Sequence, residues 1–310
     1  MPVLIGIDEA GYGPALGPLV VTSAAFDVAD EAADLWRLLE TAVARTRRNA
    51  AGRLLVADSK VVYANQSGLA DLERAVLAFM RTRGRTAASF RALTEMLCDD
   101  AATLCSSAWW NDTPLPVSAE PESVESAAAS LEAAQGDARF LGFATQVVRA
   151  GPFNQLVAKY GNKSVLLFQK NMLLIRRAMM EHGGDLSFVI DKHGGRHYYG
   201  QLLANNFFGR PLRVLRQSPA FSSYEVDADG RTLRFAFIEK ADALHLPAAL
   251  ASMASKYVRE LFMMCFNAYW CGRVEGLAPT AGYVADSERF IAAIRPLFKD
   301  GDERKVIRER

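Results

Sequence analysis

Short apolar runs alternate with stretches of helical spacing along most of this chain, and no other feature limits its fold so much. Residues 2–7 (PVLIGI) and 18–26 (PLVVTSAAF) predict two strands with a Gly/Pro turn between them. Further apolar runs that read as strands lie at Leu54–Ala57, Phe140–Arg149, Leu186–Ile190, Leu212–Leu215, Tyr224–Val226 and Thr232–Ile238. The last two flank Asp227-Ala228-Asp229-Gly230, a hairpin signal. Helical spacing covers 29–49, Asn65–Arg83, 88–105, Ser164–His182, 197–208, Leu246–Tyr269 and 286–297. In the second of these, Leu69, Leu72, Val76, Leu77 and Met80 share one face; Gly183-Gly184 ends the fourth. Strands alternating with helices indicate the α/β class, with a central sheet flanked by helices, and the hairpin makes that sheet mixed.

The chain has 310 residues, half of them hydrophobic and 23% charged, enough for one large domain or two modest ones with a substantial core. A net charge of +1 gives no global signal toward nucleic acid, although a local basic groove is compatible with it. Cys98, Cys105, Cys265 and Cys271 form no C-x-x-C pair and read as reduced thiols. Asp8 and Glu9 arrive too early for a secretory leader, and no run of apolar residues is long enough to span a membrane, so a cytoplasmic chain is expected.

Three acidic positions share one setting. Asp8-Glu9, Asp191 and Asp242 each lie at or just after a short apolar run. In an α/β sheet, strand ends bring distant parts of the chain together. Carboxylates gathered there repel one another unless a cation compensates, and hard oxygen donors favour Mg²⁺ or Mn²⁺. Two such ions about 4 Å apart can activate a water and stabilise a leaving oxygen in phosphodiester cleavage. Spacing alone leaves a plainer reading open, since strand-end acids are more often solvated turn residues or helix caps. Around Asp8-Glu9 the glycines add a second signal, close approach of the backbone to something.

Four blocks carry a family resemblance. DEAGYGPALGPLVV is similar to the D-E-A-G-R-G-P and G-P-V-V signature that opens the type 2 ribonucleases H (ribonuclease HII). Asp58-Ser59-Lys60 matches the family's D-S-K. Ala241-Asp242, Ala251-Ser252, Ala254-x-Lys256 and Arg259-Glu260 match its G-D and A-A-S-I-x-A-K-x-x-R-D. The helix GNKSVLLFQKNMLLIRRAM followed by LSFVIDKHGG resembles the helix and V-D-G strand that carry its third acid. The matched blocks cover 1–61, about 140–195 and about 236–290. Residues 62–138 and 196–234 have no counterpart and read as two insertions, the first largely helical, in a single RNase H-like catalytic domain over 1–310 with a helical C-terminal part at 246–310.

The resemblance implies an endonuclease that cuts RNA in RNA–DNA hybrids, or at ribonucleotides embedded in duplex DNA, leaving a 3′-hydroxyl and a 5′-phosphate. It implies two metal ions, Mg²⁺ or Mn²⁺, held by Asp8, Glu9, Asp191 and Asp242. Gly11, Tyr12 and Gly13 match the loop whose amides meet the 2′-hydroxyl, the group that marks RNA. Tyr12 replaces the family's arginine and so cannot supply its phosphate-gripping charge; it is expected to stack on a sugar or base, to bond a phosphate, or simply to pack. Lys60 matches a phosphate contact. Ser252 and Lys256 are expected to support Asp242 or bind phosphate, with surface ion pairs as the plainer reading. Tyr283 matches a tyrosine near the ribonucleotide junction, although the preceding His-Lys of the family is missing. His193 is expected to be an exposed loop histidine, with an assisting role in proton transfer as the lesser reading. Two alternatives stand beside this one: a nuclease of the same fold acting on another DNA or RNA structure, and a non-catalytic nucleic-acid-binding protein.

Overall fold

The computed structural model describes residues 2–64 and 67–309. Its centre is a seven-stranded mixed sheet. The strands are β1 (Val3–Ala10), β2 (Leu19–Val28), β5 (Ala138–Val148), β6 (Leu186–Asp191), β7 (Leu212–Gln217), β8 (Phe221–Asp227) and β9 (Thr232–Ile238), in the order β5-β2-β1-β6-β9-β8-β7; β3 (Val43–Ala44) and β4 (Leu54–Leu55) form a separate parallel pair. The three central strands β1, β6 and β9 run parallel, with Ile7 beside Ile190 and Asp191 beside Ile238. The outer pairings are antiparallel, including the β8–β9 hairpin that Asp227–Gly230 signals.

Alternation along β1 builds both faces of the sheet. Val3, Ile5 and Ile7 join the core under the Lys163–Glu181 helix, while Leu4 joins the core under the Leu246–Cys271 helix. The second helix is a single rod of 26 residues with Pro247 in its first turn, the place where a missing N–H costs nothing. Its N-terminus presses on Gly6 so closely that a Cβ there would lie 2.0 Å from the Pro247 carbonyl carbon. Glycine at position 6 is therefore a packing requirement, and it brings the helix down onto the strand that carries Asp8.

The described residues of the 62–138 stretch pack into the main core. The Gly68–Arg81 helix lies against Pro121–Ala134 and the long helix, and its Leu72, Val76, Phe79 and Met80 are buried with Phe26 and Phe140 of the sheet. Glu73 joins these pieces. Fully buried, it accepts hydrogen bonds from the amides of Val117 (2.8 Å), Ser118 (2.7 Å) and Ala119 (2.8 Å) and from the Tyr257 hydroxyl (2.6 Å).

Several sequence expectations need correction. The helix expected over 29–49 is only Leu35–Leu38, followed by β3 and a 3₁₀ turn at Arg47–Asn49. That one turn of helix carries Leu35 and Trp36 into the core, Trp36 Nε1 donating to Val56 O at 2.9 Å, and Leu39, Ala42 and Val43 follow from outside any helix. The stretch 88–105 is two helices, Phe90–Leu97 and Ala101–Cys105, and a helix at Ala150–Tyr160 has no counterpart in the sequence reading. Of Asn65–Arg83, the first two positions lie outside the described residues and the helix begins at Gly68. All four cysteines are free. Among the described residues no helix is long and apolar enough to cross a membrane.

Candidate active site

The parallel trio β1, β6 and β9 ends at one edge of the sheet, and the acids collect there. Asp8 and Glu9 are among the last three residues of β1, which runs on to Ala10 rather than stopping before them. Asp191 is the last residue of β6. After β9 the chain turns through Lys240, in left-handed conformation (φ 59°), into a short helix at Ala241–Leu244 with Asp242 in its first turn. The Ala241 amide donates to Asp191 Oδ1 at 2.8 Å, which ties the third acid to the element carrying the fourth.

Electrostatics show that the four carboxyls share one environment. Asp8 is raised well above the usual carboxylate range, by burial first and then by Glu9, Asp191 and Asp242, with the Ser252 hydroxyl opposing. Glu9 is pushed up to about 8 by burial, then by Asp191. Burial raises Asp191 to about 6 against the pull of its bond from Ala241, with Asp242 adding to the rise. Asp242 is raised by burial and then by Asp58. Asp58 is thus a fifth neighbour. It caps the Ser59–Tyr63 helix by accepting from the Lys60 amide at 2.8 Å, the loop-orienting role its place before Ser59-Lys60 suggests, and its charge also bears on Asp242. Burial lowers the Lys60 ammonium, but Asp58, Asp242, Asp8 and Asp191 outweigh it and raise the group overall.

A cluster of hard oxygen donors that raise one another's pKa is the chemistry a divalent cation relieves, so the donor set fits such an ion. The side chains do not form a finished coordination shell: among the described residues no three His, Cys, Asp or Glu side chains converge on a common point. The carboxyls lie within electrostatic reach of one another and stop short of that convergence.

The loop after β1 is built on glycine. Gly11 has φ +83°, and a Cβ there would meet Pro18 O at 2.5 Å and the Arg259 side chain at 2.6 Å. Gly13 is different, since a Cβ would find nothing within 4 Å, which leaves that side of the loop open to an approaching partner. Tyr12 packs: its ring is partly buried beside the second core, and a Cβ on Gly194 would lie 3.5 Å from its Cε1. From below, Arg308 holds the loop. Its guanidinium donates to Gly11 O and to Tyr12 O (2.9 Å) and stacks 3.8 Å from the Phe153 ring centroid. Its backbone N–H donates to Ala15 O at 2.9 Å, beside an antiparallel bridge between Leu16 and Ile307. No local sequence signal marks Arg308, because the role depends on a contact 297 residues away.

The helix residues divide. Ser252 is buried against Ser59 (3.0 Å) and Asp8, so it supports the first acid rather than Asp242. Ser255, unremarked in the sequence, donates to Asp8 O at 3.0 Å. Lys256 makes an i,i+4 pair with Glu260 at 2.6 Å and lies 4.2 Å from the Tyr63 ring centroid, the plainer of its two readings. Tyr283 is half exposed at the start of the Val284–Ile294 helix, 5.7 Å from the Arg259 guanidinium. Gly282 accepts from the amides of Ala15 and Leu16, which sets Tyr283 beside the glycine loop. His193 is buried, not exposed. Burial and Arg196 drive its pKa down to about 3, and its Nε2 is 2.8 Å from Asn171 Nδ2, so it stays neutral and packs.

No family model and no curated protein matches the chain by sequence. Solved structures do match. A chain of the PCNA:RNase HII complex from Archaeoglobus fulgidus aligns over 99% of this chain and 94% of its own length, with a TM-score of 0.50 and 16% identity. Ribonuclease H2 from Pyrococcus horikoshii OT3 aligns over 98% and 92%, with TM-score 0.44 and 12% identity. Bst-RNase HIII in complex with Mn²⁺ aligns over 99% of this chain and 65% of its own length, with TM-score 0.44 and 13% identity. At these identities the likeness speaks for architecture. With its mixed seven-stranded sheet and flanking helices, the chain has the ribonuclease H-like fold, in the form seen in ribonuclease HII.

Proposed function

We propose that this protein is a metal-dependent endoribonuclease that cleaves RNA in RNA–DNA hybrids or at ribonucleotides embedded in duplex DNA. The observation that carries the reading is the gathering of Asp8, Glu9, Asp191 and Asp242 at one sheet edge, where burial raises all four and repulsion from neighbouring carboxylates, Asp58 in the case of Asp242, adds to it. A purely structural site has no reason to concentrate such costly groups. These four would hold two Mg²⁺ or Mn²⁺ ions, which when bound supply an activated water and stabilise the leaving oxygen, giving a 3′-hydroxyl and a 5′-phosphate.

The chain's own residues shape the rest. Ser252 and Ser255 hold Asp8 by side chain and backbone. The Ala241 amide fixes Asp191. Lys60, exposed at the rim beside the acids, is suited to a substrate phosphate. Arg308 and Gly11 hold the loop, Gly13 offers backbone unobstructed by a side chain, and Tyr283 stands half exposed beside it for stacking.

The test is cleavage of three labelled duplexes in Mg²⁺ or Mn²⁺: DNA with one ribonucleotide, an RNA–DNA hybrid, and DNA alone. Cutting of the ribonucleotide-bearing strand that disappears in Asp8→Asn supports the reading. Cutting of DNA alone favours a nuclease of different preference, and binding without cutting of any substrate overturns the enzyme reading.

A further inference from the structure

An anionic backbone approaching five clustered carboxyls needs cations beside them, and Lys60 supplies one, its charge bearing first on Asp58 and Asp242 and then on Asp8 and Asp191. Next to the glycine loop, three arginines are within reach. Two are committed. Arg308, 3% exposed, is engaged with the carbonyls of Gly11 and Tyr12, and Arg259, 0% exposed, donates to Leu16 O and Ala281 O and pairs with Glu260.

The third is Arg196, in the turn that follows Asp191. Its amide donates to His193 O at 3.0 Å, and within that turn Gly194 lies against the Tyr12 ring. Arg196 Nε donates to Ser164 Oγ at 3.0 Å, and Ser164 is buried in the first turn of the Lys163–Glu181 helix. One bond thus orients the guanidinium. Its two terminal nitrogens make no hydrogen bond or ion pair among the described residues, and the side chain is partly exposed. A guanidinium fixed at Nε with its terminal edge free is preorganised for two-point contact with a phosphate.

We propose that Arg196 binds a backbone phosphate of the nucleic-acid strand lying over the Gly11-Tyr12-Gly13 loop. Tyr12 backs the turn that presents it, so the loop's own residue packs while the charge comes from the β6–α turn. The assignment rests on the nuclease reading above.

Binding is measured by fluorescence anisotropy with a short ribonucleotide-containing duplex, in the Asp8→Asn background so that nothing is cut, across about 50–200 mM salt. Arg196→Gln is expected to weaken binding by about tenfold and to lower the slope of log Kd against log salt by about 0.9, the loss of one phosphate contact. Arg196→Lys, which keeps the charge, is expected to restore most of the slope. Arg295→Gln, at an exposed site paired with Glu303, is expected to change neither. In the otherwise wild-type enzyme Arg196→Gln is expected to raise KM more than it lowers kcat. Melting temperature is followed in parallel, and a variant that melts early yet keeps the wild-type slope marks Arg196 as structural and overturns the proposal. If the wild-type protein binds and cuts but Arg196→Gln leaves slope and KM unchanged, the proposal fails while the nuclease reading stands. If the wild type neither binds nor cuts any nucleic acid, both fall.

Discussion

Raising the pH from about 5 to about 8 is expected to destabilise the metal-free protein, and a divalent cation is expected to reverse much of that loss. Glu9 is pushed from its usual 4.5 to about 8, by burial and then by Asp191. Between those values the folded protein holds a proton that the unfolded chain has released. Stability linked to this group is therefore fully present below the unfolded value and declines as pH climbs toward the folded one. A rise from 4.5 to about 8 corresponds to about 4–5 kcal/mol if Glu9 carried it alone. Asp191, raised to about 6, begins its loss at lower pH. Between pH 5 and pH 8 about 3–4 kcal/mol of this is lost, and at about 2 °C per kcal/mol for a chain of this size the melting temperature should fall by about 6–8 °C. Mg²⁺ or Mn²⁺ at about 100 times its Kd should return about 2.7 kcal/mol, or about 5 °C. Differential scanning calorimetry from pH 5 to pH 8, with chelator and with metal, reads both effects. Glu9→Gln removes the group and should flatten the metal-free profile. A metal-free melting temperature that stays level or rises over this range, with wild type and Glu9→Gln superimposed, would refute the reasoning.

Two further predictions test the scaffold around the site. Gly11→Ala should destabilise the protein by about 1–3 kcal/mol, because φ +83° and Pro18 O at 2.5 Å leave no place for a methyl group. Gly13→Ala should leave the melting temperature within about 1 °C, since a Cβ there meets no protein atom within 4 Å, while the proposed function expects cutting of ribonucleotide substrates to drop at least about tenfold. Equal loss of stability in both variants would sink this division. Glu73→Leu should cost about 2–3 kcal/mol in chemical denaturation, because it strands the buried Ala119 amide and Tyr257 hydroxyl and the less buried amides of Val117 and Ser118; a change below about 1 kcal/mol would show that water replaces the carboxylate without penalty.

The order of strands and helices, and the placement of acids near strand ends, are legible in the residues themselves. Side-chain periodicity is a local property: short apolar runs such as Leu186–Ile190 and the one-faced spacing of Leu72, Val76 and Met80 carry the same information folded or unfolded. The 29–49 segment misled because its apolar residues do reach the core, but from a single helical turn, a loop and a short strand rather than one long helix. Its spacing reported burial without reporting backbone.

What only the tertiary structure decided is which groups meet. Asp58 joins the acids, His193 is sealed inside, Tyr12 lies against Gly194, Lys256 turns to Glu260, and Arg308 reaches under a loop at the other end of the chain. Apart from the i,i+4 pair of Lys256 with Glu260, none of these follows from local pattern, because each depends on how the sheet, the long helix and the loops around them pack together. Sequence by itself determined that acids and glycines would stand at strand ends. Packing decided that burial would raise those acids together, since desolvation and repulsion act only once the sheet has closed around them.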